Sequence, residues 1–194
     1  LLLLIFVPKT WQGLKDREVW KGGLILGFIV WGGFILQMLG LTDITPAVSA
    51  FLTSLYVVFT ALIGVALGMQ KMTRFAILGV LLATFGAGWI SGPPQLNFGL
   101  GEWLTVGCAF LFGAHIIATD RVTKVVDPIQ VTATMLITVA ALSVAVYLVI
   151  SRELTGEFLS LLKEFDFTFP LMLCAILGRL VALLVLNIFQ KEVT

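Results

Sequence analysis

Six long apolar blocks run through this chain of 194 residues, and five of them contain no Asp, Glu, Lys or Arg. Most blocks approach the ~20 residues that an α-helix needs to cross a bilayer. Only 12% of the residues are charged, whereas soluble domains carry about 25%. The sequence therefore predicts an all-α, polytopic transmembrane helix bundle. The predicted spans are Gly22 to Leu41, Pro46 to Leu67, Phe75 to Ile90, Trp103 to Thr119, Pro128 to Ile150 and Phe169 to Phe189.

The basic residues indicate the orientation of these spans. When the loops are assigned alternately to the two faces of the membrane, nine of the twelve basic residues fall on one side, which the positive-inside rule makes cytoplasmic. Loops 9–21, 68–74 and 120–127 are thus predicted to be cytoplasmic, in a membrane of the bacterial inner-membrane type. The first of these loops fits a short interfacial helix or an ordinary polar loop. The nine residues are Lys9, Lys15, Arg17, Lys21, Lys71, Arg74, Arg121, Lys124 and Lys191.

Arg179 is the one charged residue inside a predicted span. It lies at the midpoint of its block, which at ~1.5 Å per helical residue is ~15 Å deep in a hydrocarbon layer ~30 Å thick. A guanidinium at that depth costs at least ~2.5 kcal/mol on insertion scales and needs a partner. The predicted spans offer no carboxylate. Three partners stay open: backbone carbonyls with water, an acid on a helix outside this sequence, or the carboxylate or phosphate of a substrate.

A stripe of polar and small residues runs along the predicted span Pro46 to Leu67. Its members recur at steps of three or four residues, which places them on one face of a helix. The complete stripe favours a face that lines a translocation cavity, although each Ser or Thr taken alone also fits a hydrogen bond back to its own helix. The stripe comprises Ser49, Thr53, Tyr56, Thr60 and Gly64.

Other polar or aromatic residues within the spans are candidates for the same path. Trp31 and Gln37 lie in the first span, with Trp31 one to two turns deeper. Asn187 lies within the same third of a helix circumference as Arg179. His115 fits either a proton relay or a neutral hydrogen-bonding residue.

Two stretches of the sequence carry a family likeness. The first reads GGLILGFIVWGGFILQMLGLTDITPAVSAFLTSLYVVFTALIG and is followed by RFAILGVLLATFGAGWIS; it resembles helices three to five of an EamA-type repeat in the drug/metabolite transporter superfamily. The second reads GEWLTVGCAFLFGAHIIATDRVTKVVDPIQVTATML and resembles the start of that family's second repeat, where a basic turn precedes an Asp-Pro pair. Related chains often carry a Pro in the middle of helix four, and its absence here predicts a straighter helix.

The resemblance implies two inverted five-helix repeats in the full-length protein, of which this chain is expected to be a fragment. Residues 1–91 would be the first repeat, lacking helix one and most of helix two. Residues 92–101 would be an extracytoplasmic linker, and residues 102–194 the second repeat without helices nine and ten. Such inverted repeats alternate access around a site near the bilayer midplane.

The resemblance also implies a function, namely a secondary transporter that exports small organic metabolites such as amino acids or amines, with proton coupling. A nucleotide-sugar or organic-phosphate carrier of the same superfamily is the alternative. An intramembrane enzyme needs paired acids, a metal triad or a nucleophile with a base, and the chain has one His and no carboxylate in a span. The expected partners are therefore a small-molecule substrate, a proton and the lipid bilayer, with a homodimer also compatible. We expect no catalytic activity, metal, cofactor or nucleic acid.

Overall fold

The computed structural model describes residues 14–69, 99–150 and 164–173, together with positions 74, 77–79, 81, 82 and 85. Four stretches of these residues are helical, long enough and apolar enough to cross a membrane: α1, α2 with α3, α4 and α5. They confirm the predicted all-α polytopic bundle. The helices are α1 (Arg17–Gly40), α2 (Pro46–Ser54), α3 (Tyr56–Ala66), α4 (Leu100–Thr123), α5 (Pro128–Ile150) and α6 (Phe165–Leu173).

Local capping residues explain where the helices begin. Thr45 precedes α2, and its hydroxyl accepts the Val48 backbone N–H at 3.4 Å, while Pro46 occupies the first helical position. Asp127 precedes α5 in the same way, because its carboxylate accepts the N–H groups of Ile129 at 3.0 Å and Gln130 at 3.4 Å. The Asp-Pro pair thus begins α5 at the predicted residue.

A glycine ends α3. Gly68 adopts a φ of +68°, the left-handed conformation that glycine accepts without a Cβ clash. The Gly68 N–H donates to the Val65 carbonyl, and the Met69 N–H donates to the Gly64 carbonyl, both at 2.9 Å. This hydrogen-bond pattern is a Schellman motif, which satisfies carbonyls that the end of a helix would otherwise leave without donors.

Residues 24–125 form one compact unit in which α2 and α3 pack against α4. Its core contains Leu26, Leu52, Cys108 and Ala109, each at most 3% exposed. Large apolar side chains on the outer faces of the helices in this unit, such as Phe28, Val57 and Leu62, are exposed when no bilayer surrounds the chain. In a bilayer such surfaces face lipid, where apolar side chains are favoured.

Residues 1–23 and 126–194 form the second compact unit. In its described part, the first turns of α1 lie against α5. The Thr134 hydroxyl lies 3.2 Å from the Val19 carbonyl, and a Cβ added to Gly23 would lie 2.1 Å from that hydroxyl oxygen. Gly23 therefore lets α1 and α5 approach closely, as small residues commonly do between membrane helices.

Several helix bounds differ from those predicted. α1 begins at Arg17 rather than Gly22, so residues 17–21 of the predicted loop or interfacial helix are the first turns of the span. Capping contributes to this early start, because the Asp16 carboxylate accepts the Glu18 N–H at 2.9 Å. α4 extends the predicted span Trp103 to Thr119 in both directions, to Leu100 and to Thr123, which leaves residues 124–127 between α4 and α5.

The two remaining predicted spans lie largely outside the described residues. Within the span Phe75 to Ile90, the described positions 77–79, 81, 82 and 85 are helical. The last predicted span starts at Phe169, whereas α6 begins at Phe165. The predicted inverted repeats and their boundaries stay predictions.

Leu55 departs from regular α-helix within the span Pro46 to Ala66, for which the absence of a mid-helix Pro predicted a straighter helix. The Leu55 N–H donates to the Leu52 carbonyl at 3.2 Å, three residues back rather than the four of an α-helix. Regular α-helix resumes at Tyr56, and the Phe59 N–H donates to the Leu55 carbonyl at 3.0 Å. The irregular turn occurs without a proline, so the absence of Pro did not preserve a regular helix here.

Candidate substrate site

A pocket of about 240 Å³ opens between α3 and α4. Among the described residues, its lining consists of Tyr56 from α3 and Phe112, His115 and Ile116 from α4. Three of these four side chains carry planar rings, and two of the three rings bear a group that can form hydrogen bonds. The pocket therefore combines apolar walls with a small number of polar groups, as small-molecule sites usually do.

The pocket lies at the middle of both helices that form it. Tyr56 is the central residue of the 21-residue span Pro46–Ala66, and it directly follows the irregular turn at Leu55. Phe112 lies at the centre of the 24-residue α4. A site near the middle of the membrane-spanning helices is typical of secondary transporters.

Gly113 brings the two walls of the pocket together. A Cβ at this position would lie 2.9 Å from the Phe59 Cβ, 3.0 Å from the Thr60 amide nitrogen and 3.1 Å from the Tyr56 carbonyl oxygen. Two of these three atoms belong to the α3 backbone. The absence of a side chain at Gly113 thus lets the α3 backbone approach α4 where Tyr56 and Phe112 flank the pocket.

A hydrogen-bonded polar cluster lies about one helical turn before the pocket residues along the chain, since Thr53 precedes Tyr56 and Cys108 precedes Phe112. The Gln37 amide of α1 donates to the Thr53 hydroxyl of α2 at 3.0 Å. Thr53 also hydrogen-bonds the buried Cys108 of α4. Gln37, Thr53 and Cys108 therefore connect three helices through polar contacts inside an apolar unit.

Ser49 and Trp31 each bury a polar atom that has no hydrogen-bond partner among the described residues. Ser49 is only 2% exposed and precedes Thr53 by one turn on α2. The Ser49 hydroxyl oxygen and the Trp31 indole nitrogen are both fully buried. Buried polar groups normally find a partner, so both atoms favour contact with a water molecule or a ligand.

The predicted polar stripe has three kinds of environment in the structure. Ser49 and Gly64 are buried, Thr53 contacts the neighbouring helices, and Tyr56 reaches the pocket. Thr60 donates to the Tyr56 carbonyl of its own helix at 2.7 Å, which is the bond back to the helix that single Ser and Thr residues were expected to form.

The structure brings His115 to the pocket and Gln37 to the polar cluster, two residues that the sequence placed on different spans. Arg179 and Asn187 lie outside the described residues, and their assignment to the path stays a prediction. Sequence reasoning did not include Phe112, Ile116 or Cys108 among the site residues. The signal was present in their spacing, because Cys108, Phe112 and His115 recur at four and three residues on one face of α4.

We expect Thr53→Val to lower the stability of the protein more than Thr60→Val does. The first substitution removes a hydrogen bond between helices, and such bonds contribute about 0.6 kcal/mol on average and up to about 1.7 kcal/mol in membranes. The Thr60→Val substitution removes a hydrogen bond within one helix and keeps a side chain of the same shape. Thermal unfolding of the two variants in the same detergent measures the difference. Equal stabilities would contradict a structural role for the Gln37 to Thr53 contact.

Comparison with known proteins agrees with this architecture. Helical spans almost free of charge identify an integral membrane protein. Residues 1–92 match the model of the EamA-like transporter family. The chain is also 30% identical over 127 residues to an uncharacterized transporter of Archaeoglobus fulgidus. That alignment covers 64% of this chain and 38% of the relative. No solved structure matches the chain.

Residues 1–92 therefore match an EamA-like transporter family domain, which confirms the resemblance seen in the sequence and is consistent with the drug/metabolite transporter superfamily. The matched region contains α1, α2 and α3, and hence Gln37, Thr53 and Tyr56. The remaining pocket residues belong to α4, beyond the region matched by the family model.

Proposed function

We propose that this chain is part of a secondary transporter that moves small organic metabolites, such as amino acids or amines, out of the cytoplasm by alternating access with proton coupling. The observation that carries the proposal is the ring-lined pocket between the midpoints of two spans, next to the irregular turn at Leu55. The match of residues 1–92 to the model of a transporter family supports it. The polar cluster Gln37, Thr53 and Cys108 would form the wall of the path one turn away.

The charge pattern supports an orientation with the start of α1 and the C-terminal end of α4 on the cytoplasmic side. Arg121 and Lys124 lie at the C-terminal end of α4, and Lys15, Arg17 and Lys21 lie at the start of α1. Lys124 pairs with Asp120 at 2.8 Å, and Lys21 pairs with Glu18, so both surfaces also contain acids. The positive-inside rule counts Lys and Arg rather than net charge, and the proposed cytoplasmic side therefore still holds.

Transport into inside-out membrane vesicles tests the proposal. The vesicles would be supplied with a panel of radiolabelled amino acids and amines, with and without an imposed pH gradient. An exporter accumulates its substrate in such vesicles, and proton coupling makes accumulation depend on the gradient. We expect at least one substrate to accumulate only in vesicles that contain the protein.

Tyr56→Ala should reduce that accumulation about tenfold or more, because truncating one aromatic wall of a binding pocket removes a contact of up to several kcal/mol, and 1.4 kcal/mol corresponds to a factor of ten. Leu62→Ala is the matched control, since Leu62 lies on the same helix and is 48% exposed on its outer face. Equal transport by the Tyr56→Ala variant and the wild type would place the path elsewhere. No accumulation of any compound, at normal expression, would count against export of these substrate classes.

A further inference from the structure

The ring of Phe112 is fixed in place by α1. A Cβ at Gly33 would lie 2.6 Å from Cε1 and 2.8 Å from Cδ1 of Phe112, so the ring packs directly on the α1 backbone. Phe34 contacts the same ring edge to face, with 5.3 Å between the ring centroids and 72° between the planes. An aromatic pair in this geometry is favourable beyond the area that it buries.

Tyr56 and His115 complete the set of rings around the pocket. Tyr56 lies on α3, whose backbone Gly113 holds against α4, and His115 follows Phe112 by three residues on α4. The spacing between the rings is thus set by backbone contacts at Gly33 and Gly113, both of which exclude a side chain. A pocket whose walls are fixed before a ligand arrives loses less entropy on binding.

The size and charge of the pocket restrict what it can accept. The pocket is largely open, so its walls contact one part of a ligand rather than enclose the whole molecule. The pocket here has about 240 Å³, below the ~300–1,000 Å³ of sites that enclose drug-sized ligands. None of its described lining residues is an acid, a lysine or an arginine. Its described walls therefore suit one or two fused rings without a charge on the rings themselves.

We propose that this pocket is the subsite for a planar aromatic or heteroaromatic group of the transported molecule, and that Phe112 is the surface on which that group stacks. Tyr56 and His115 provide polar atoms that can hydrogen-bond a heteroatom at the edge of the ring. Charged parts of the molecule would lie beyond these four residues. This inference rests on the proposed transport function and specifies its substrate class.

Binding of 5-fluoroindole to the purified protein in lipid nanodiscs tests the proposal, with ¹⁹F NMR line broadening as the signal. Indole and cyclohexylmethanol, which are both neutral and contain one ring system of related size, serve as competitors. We expect indole to displace the probe at a concentration at least about tenfold lower than cyclohexylmethanol. Equal displacement by the two competitors, or no saturable binding of the probe, would overturn the proposal.

Substitutions at Phe112 test the stacking surface itself. Phe112→Leu should weaken 5-fluoroindole binding about three- to tenfold, the equivalent of one aromatic contact, and Phe112→Tyr should retain binding. Phe110→Leu is the matched control, because Phe110 lies two residues away, pairs with Phe59 and is 48% exposed. It should bind within about twofold of the wild type. Equal losses in Phe112→Leu and Phe110→Leu would contradict a specific role for Phe112.

If thermal melting shows that Phe112→Leu is not folded, the competition between indole and cyclohexylmethanol on the wild-type protein still decides the proposal. Transport is measured separately in vesicles, so the two ideas can fail independently. If amines or amino acids accumulate in a way that depends on Tyr56 but 5-fluoroindole does not bind, the proposed ring subsite is wrong and the proposed transport function stands. Binding of the probe without transport of any compound would keep the subsite and reject the proposed function.

Discussion

Gly113→Leu is expected to destabilise the protein by about 1–3 kcal/mol or more and to abolish transport. A single Cβ at this position already falls within 3.0 Å of the Thr60 amide nitrogen and 3.1 Å of the Tyr56 carbonyl oxygen. These are backbone atoms, which can move only if α3 shifts as a whole. Adding side-chain volume to a packed interior typically costs about 1–3 kcal/mol, and a leucine adds three further carbon atoms beyond the Cβ.

The loss of transport has a separate cause from the loss of stability. Moving α3 away from α4 separates Tyr56 from Phe112 and His115, which line one pocket. Displacements of about 1 Å at a site can cost a hundredfold in activity even when the altered residue does not touch the ligand. Gly113→Ala should therefore reduce transport strongly while the protein still inserts and folds.

Thermal unfolding in nanodiscs and vesicle transport would be measured on the same preparations. Gly32→Ala is the matched control, because Gly32 lies in α1 and the nearest atom to its added Cβ is a leucine methyl group at 3.4 Å. This variant should be neutral or more stable, since alanine favours a helix over glycine by up to about 1 kcal/mol. An unfolding temperature for Gly113→Leu equal to that of Gly32→Ala would contradict the close packing of α3 on α4.

The elements that the sequence predicted well depend on local chemistry. The start of α5 is set by Asp127 and Pro128, which are adjacent in the chain and cap the helix without help from another element. The apolar, charge-free blocks likewise predict spans, because each side chain makes its own contribution to the free energy of transferring the helix from water into the bilayer. The resemblance to EamA-type repeats rests on the same blocks and holds for residues 1–92.

The irregular turn at Leu55 could not be predicted in this way. No Pro or Gly marks it, and a Ser or Thr that bonds back to its own helix does not by itself predict a break, since Thr60 does so within regular α3. The family pattern led to the opposite expectation, because a missing Pro suggested a straighter helix. The Ser54 hydroxyl donates to the Phe51 carbonyl at 2.6 Å, which is the acceptor that the Leu55 N–H would use in a regular α-helix, so this side-chain hydrogen bond is the physical reason we assign to the turn.

Contacts between helices were also beyond the sequence. Periodicity placed Thr53 and Tyr56 on one face of a helix, but it does not say which neighbouring helix that face meets. The side chain of Thr53 has two polar partners in the structure. Gln37 lies sixteen residues earlier in the chain, and Cys108 lies more than fifty residues later. The pocket residues Phe112 and Ile116 are ordinary apolar residues in a membrane helix and become candidates only when Tyr56 is seen opposite them.

Arg179 gives the second large prediction, which rests on the sequence. Its partner is not a mid-span acid of the described helices, because their Asp and Glu residues all lie near helix ends or in turns. If Arg179 binds an anionic group of the substrate, Arg179→Leu removes a charged hydrogen-bonding contact of about 1.5–3 kcal/mol, which corresponds to a loss of ten- to more than a hundredfold in transport. Arg179→Lys keeps the charge but not the planar donor fork, so it should retain part of the activity.

The comparison would use substrates identified in the vesicle screen and would include carboxylates, organic phosphates and nucleotide sugars. Arg121→Leu is the control for removing a cation, since Arg121 is exposed near the C-terminal end of α4. Membrane yield and a topology reporter establish that each variant inserts normally. Placing leucine at the bilayer centre costs less free energy than placing arginine there. Arg179→Leu should therefore insert at least as well as the wild type while transport fails. If Arg179→Leu transported substrate as well as the wild type, the hypothesis that Arg179 contacts the substrate would be wrong. An equal loss of transport in the Lys and Leu variants would favour a pairing that depends on the guanidinium geometry.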